Sequence, residues 1–95
     1  MIISMFAIRH MPTGNYLLMG YCQSGRGSTA YEPGKPEAND LPRVFRTAKD
    51  AQGALRCWVR GRYQSDEGAW NGQIRPVPSR DINDMQVVPI TLELP

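Results

Sequence analysis

Two rhythms of apolar and polar residues run through this chain. In the first, residues 2–9 place Phe6 and Ile8 on one side and Met5 and Ala7 on the other. That alternation predicts a strand with both faces partly covered. Pro12-Thr13-Gly14-Asn15 is turn chemistry: proline sets one backbone angle and glycine can take positive φ. Tyr16 to Tyr21 then reads as a second strand, closing an antiparallel hairpin. At the other end of the chain Gln86–Leu94 predicts the last strand, with Val88, Ile90, Leu92 and Leu94 on one face. Pro89 restricts that strand to an edge or a bulge, because proline donates no ladder hydrogen bond.

The second rhythm is helical. Ala48, Ala51, Leu55, Trp58 and Val59 recur at spacings of 3, 4, 3 and 1, one face of a 3.6-residue period. Thr47 is a natural N-cap, with Asp50 at capping-box spacing and in the first turn, where the helix dipole favours negative charge. Gly61 is a natural stop, and Arg60 and Arg62 around it suit the dipole. The expected helix is about four turns long. Its other face holds Lys49, Gln52, Gly53, Arg56, Arg60 and Tyr63. Gly53 costs about 1 kcal/mol of helix propensity relative to alanine. With Ala51 and Ala54 it predicts close approach of something to the backbone, either the sheet or a partner's side chain lying in a shallow groove.

Between these elements the patterning fades. Residues 22–42 form a long Gly-, Ser- and Pro-rich loop, a length associated with function or mobility. Within it Arg26, Gly27 and Ser28 lie in a Gly-rich turn whose N–H groups could cradle an anion, although the full phosphate-loop pattern is absent. Arg43-Val44-Phe45 is a short extended lead-in to the helix. Gln64–Gly72 reads as polar turn, and Trp70 within it either folds back on the core or stands as an exposed anchor. Ile74-Arg75-Pro76-Val77-Pro78 can be only an edge segment, and Ser79 is placed to cap one short turn through Met85. The fold class is therefore α+β: a small antiparallel sheet with one main helix packed across it, β-β-α-β, with room for one extra short edge strand. The helix should bury Leu55, Trp58 and Val59 against Phe6, Ile8, Leu17 and Ile90.

Composition adds bounds. The 95 residues make one small domain, 1–95, and 41% hydrophobic with 21% charged residues is an ordinary globular balance. No apolar run approaches 18 residues, so no membrane span is expected. MIISMFAIRH lacks a basic leader and a small-residue cleavage site, and reads as strand rather than signal peptide. Cys22 and Cys57 match no metal spacing, and free thiols are expected. The net charge of +2 is unevenly spread. Residues 43–62 carry Arg43, Arg46, Lys49, Arg56, Arg60 and Arg62 against Asp50, a net +5, while the remainder nets −3. Nine of the eleven basic residues are arginine, the better bidentate partner for carboxylate and phosphate.

Several motifs, read together, resemble those of a set of small bacteriophage proteins to which no activity is attached. They are Phe6-Ala7-Ile8-Arg9-His10 with Pro12-Thr13-Gly14, Gly25-Arg26-Gly27 with Glu32-Pro33, Pro42-Arg43-Val44-Phe45 with Thr47, Ala54-Leu55 with Trp58 and Gly61, and Asp84 through Leu92. The resemblance covers most of the chain. It implies an accessory protein made in the cytoplasm of an infected bacterium, and such proteins often bind and disable a host or defence protein.

Catalysis has little support. His10 is the single histidine, and a nucleophile such as Cys22 would need it and an orienting group within reach. The carboxylate pairs Asp66-Glu67 and Asp81 with Asp84 lie in polar stretches and suit turns and solubility. Neither a metal nor a cofactor is expected. The expectation is therefore a binding protein rather than an enzyme. It would inhibit a host or anti-phage defence protein, such as a CRISPR effector or another nucleoprotein complex, through Arg46, Lys49, Gln52, Arg56, Arg60 and Tyr63. Arg26, Gly27 and Ser28 would supply a secondary contact. Arginine and tyrosine are favoured at interface hot spots. The alternative is nucleic-acid binding through the same face, with Tyr63 stacking on a base, although a pI of 8.7 is below the usual footprint of about 9. A plain solvated helix face is the third explanation of the charge. The chain is expected as a monomer or a homodimer, the latter through the edge at Pro89.

Overall fold

The computed structural model describes residues 1–19, 32–66 and 69–95, and of 62–75 the backbone alone. The architecture is α+β. Strand β1 (Ile2–His10) runs through the middle of a four-stranded antiparallel sheet. On one side it pairs with β6 (Met85–Glu93) along nine residue pairs, from Ile2↔Glu93 to His10↔Met85. On the other side it pairs with β2 (Asn15–Tyr16) and with β3 (Val44–Phe45). Helix α1 (Ala48–Arg60) packs across this sheet. Strands β4 (Arg62–Asp66) and β5 (Ala69–Arg75) form a separate two-stranded sheet, and a short 3₁₀ turn at Ile82–Asp84 leads into β6.

Local chemistry explains the first elements. Gly14, at φ 75°, closes the β1–β2 turn and donates to the His10 carbonyl at 2.8 Å. His10 Nδ1 and Thr13 Oγ1 share a hydrogen bond of 2.7 Å, and Thr13 Oγ1 also accepts from the Asn15 N–H at 3.2 Å. The expected second strand, Tyr16–Tyr21, is regular only at Asn15–Tyr16. Beyond it the chain continues as single bridges, Tyr16 with Gly34 and Leu18 with Pro42, so residues 34–42 of the long loop lie alongside. Residues 20–31, including Cys22, Arg26, Gly27 and Ser28, lie outside the described residues.

The helix begins and ends where its sequence predicts. Thr47 is the N-cap, and its Oγ1 accepts from the Asp50 N–H at 3.1 Å. Gly61 ends the helix at φ 130°, a backbone conformation that side chains disfavour. Ala51, Leu55 and Trp58 are buried, while Ala48, expected on that face, is exposed.

The core consists of Ile8, Leu17, Ala51, Leu55, Trp58 and Met85, with Phe6, Phe45, Ala54, Val59 and Val87 packed around it. Register fixes which strand face meets the helix. Phe6 pairs with Phe45 and Pro89, and Ile8 with Val87, so the helix covers the Met85 and Val87 side of β6. Ile90, expected beneath the helix, instead pairs with Met5 on the opposite face, with Val88 and Leu92. The correction follows from the period of two. A shift of one residue exchanges the faces, and both alternating sets of β6 are apolar near Pro89. Pro89 does lie on an edge, since β6 pairs with β1 alone among the described strands.

The stretch Gln64–Gly72, expected as polar turn, is mostly strand. Tyr63 pairs with Ile74 and Gln64 with Gln73, with an irregularity before Asp66. Tyr63, Trp70 and Ile74 are too widely spaced in sequence to spell an alternating period, so backbone pairing was not legible there. The helical turn before β6 is capped by Asp81, whose Oδ1 accepts from the Asn83 N–H at 2.9 Å, rather than by Ser79.

Candidate partner-binding face

Helix α1 turns its buried side to the sheet and leaves Lys49, Gln52, Arg56 and Arg60 exposed, with Gly53 partly so. Arg46, just before the cap, is also exposed. Four of the six candidate residues, Lys49, Gln52, Arg56 and Arg60, thus share the exposed face of the helix, and Arg46 lies exposed just before it. Tyr63 is the exception. The helix stops at Gly61, so Tyr63 belongs to β4 and not to the helical stripe. The helical period was extended past its own stop signal.

Gly53 is the centre of this face. Two shallow, open depressions meet there and share Gly53, Arg56 and Cys57. One extends to Val59, Arg60 and Ile82. The other extends to Arg43, Phe45, Lys49, Asp50 and Ala54. Their floor is soft and largely apolar, and Ile82 is 45% exposed on its rim. Arg43, Lys49, Arg56 and Arg60 supply the surrounding positive charge, and Asp50 is the one acid among the described lining residues. Among the described residues a Cβ built on Gly53 would meet only the tip of Arg56, with Nη2 at 4.0 Å. Close packing on the core is carried by the neighbouring Ala51 and Ala54, whereas Gly53 meets no described residue of the sheet.

The cations differ in their commitments. The Arg43 guanidinium lies over the Phe45 ring at 4.9 Å from its centre. Arg60 Nη2 donates to Cys57 Sγ at 3.4 Å, and Cys57 is a free, exposed thiol. Arg46, Lys49 and Arg56 form no ion pair with any described residue.

Arg80, behind the helix, was not singled out by its sequence. Its side chain is fully buried. Nε and Nη2 donate to Glu32 Oε2 at 3.0 and 2.7 Å, and Nη1 donates to the Trp58 carbonyl at 2.7 Å. Its guanidinium also lies 4.4 Å from the centre of the Trp58 ring. A cation on a carbonyl of the last helical turn is placed where the dipole favours it. No local pattern announces this, since Glu32 is 48 residues away in sequence.

Among the described residues no three His, Cys, Asp or Glu gather as metal ligands, and no helix is long and apolar enough to cross a membrane. Compared with family models, with curated proteins and with solved structures, the chain matches none.

Proposed function

We propose that this chain is a phage-encoded accessory protein that binds and inhibits a host or anti-phage defence protein, in the manner of an anti-CRISPR inhibitor, through the exposed face of α1. It acts in the cytoplasm of the infected bacterium, as a monomer or homodimer. The observation that carries this reading is the set of exposed cations around Gly53. Arg46, Lys49 and Arg56 have no ionic partner among the described residues, and desolvated arginine contacts are strong interface anchors. The resemblance to small phage proteins suggests the setting. Inhibition would come from occupying a surface its target needs, which requires no catalytic group here.

Affinity capture from infected cells tests it, using the wild-type chain and the double variant Arg56→Glu, Arg60→Glu. One host or defence protein should co-purify with the wild type and be lost with the variant. Equal recovery with both would remove the helix face from consideration. Recovery of nucleic acid, released by nuclease or added salt, would move the assignment to nucleic-acid binding.

A further inference from the structure

The depression at Gly53 says more about the partner than charge alone, provided that the basic face of α1 is the binding face. Glycine in the middle of a helix is a poor choice for the fold. It is tolerated where a sheet or a second helix presses on the backbone, and no described residue does so here. Among the described residues a Cβ at Gly53 would reach only Arg56 Nη2, at 4.0 Å. The buried side of the helix is carried by Ala51, Leu55 and Trp58 instead. Among the described residues nothing occupies the space that a side chain would take there, which leaves room for a group from a partner.

The lining identifies the chemistry. Ala54, Cys57, Val59 and Ile82 make the floor apolar, while Lys49, Arg56 and Arg60 ring it with positive charge. A nucleic-acid backbone gains nothing from an apolar floor. Single-stranded bases need an open aromatic platform, and Phe45, the one aromatic among the described lining residues, is already covered by the Arg43 guanidinium. An amphipathic acidic segment satisfies both features at once, since an apolar side chain fills the dip while flanking carboxylates meet the arginines.

We infer that the hollow over Gly53 receives an apolar side chain presented by an acidic, amphipathic segment of the partner protein, with Arg56 and Arg60 pairing its carboxylates.

The test is a titration of the isotope-labelled full chain, followed by amide shifts and by anisotropy of the labelled probe. The first probe is a synthetic peptide of about a dozen residues, glutamates with leucines at helical spacing. The second carries serine in place of each leucine. The third is an oligothymidylate of similar length. The leucine peptide should bind at least about tenfold more tightly than either control, with shifts centred on Gly53, Ala54 and Cys57. Gly53→Gln should weaken that binding by about tenfold or more. It should leave the melting temperature unchanged or higher, because glutamine is the better helix former. Equal binding of the serine peptide would overturn the hollow while leaving the basic-face reading intact. Tightest binding of the oligonucleotide, wild-type binding by Gly53→Gln, or no binding of the leucine peptide would each overturn it as well. Failure of the basic face itself would be seen separately, as capture unaffected by Arg56→Glu with Arg60→Glu.

Discussion

Arg80 and Arg56 belong to opposite sides of one helix, and the contrast between them separates structural charge from available charge. Arg80 is wholly removed from solvent. Its donors are committed to Glu32 and to the Trp58 carbonyl, and its plane lies against the Trp58 ring. Desolvating a guanidinium is costly, so the site is tolerable only with those partners in place. Arg56 is exposed, forms no ion pair with a described residue, and sits beside a glycine. No described residue requires its charge. The same residue type thus acts as a tie in one place and as a free hand in the other. Counting arginines along the sequence cannot tell which is which.

That contrast can be broken or sharpened by substitution. Trp58→Ala should have the largest effect, because it removes both a buried core side chain and the ring beneath Arg80. A loss of about 4 kcal/mol in urea unfolding is expected. Arg80→Met keeps apolar bulk but gives up the ionic tie and the bond to the Trp58 carbonyl. Glu32 keeps a further partner and some exposure, with its side chain at 40%, so its charge is not left bare. The expected loss is about 2–3 kcal/mol, or a fall of about 10–20 °C in melting temperature for a domain of this size. Gly53→Ala should move the other way and stabilise by close to 1 kcal/mol, since the new methyl meets no backbone. Smallest of all, Arg56→Glu with Arg60→Glu should change stability by less than about 1 kcal/mol, mainly through an acid near the helix C-terminus. A large loss in that double variant, or a neutral Arg80→Met, would erase the distinction between the two sides.

Legibility in the sequence follows the range of each interaction. The helix was readable to its caps, because Thr47, Asp50 and Gly61 act on backbone groups within a few residues. The β1–β2 turn was readable for the same reason. The face of β6 that meets the helix was not, since Val87 and Val88 are equally apolar and only pairing with Ile8 and Ala7 decides between them. The β4–β5 hairpin was missed because its residues carry little apolar alternation. Of the candidate face, the cations were legible from period and charge. The contributions of Arg43, Cys57 and Ile82 were not, because they come together only when the helix is laid on the sheet.

The pairing of β1 with β6 also has a consequence for how the protein is made. Phe6 lies opposite Pro89, so at about 5–20 residues per second a ribosome delivers the partner about 4–17 s after the strand that needs it. During that interval the described partners beside the central strand are only the short Asn15–Tyr16 and Val44–Phe45 segments. Long-range antiparallel pairing of this kind places a domain among the slower folders. The nascent chain accordingly presents apolar residues before it can cover them, which favours engagement by a chaperone. A chain interrupted before Met85 would carry a well-capped helix and no completed sheet on which to lay it.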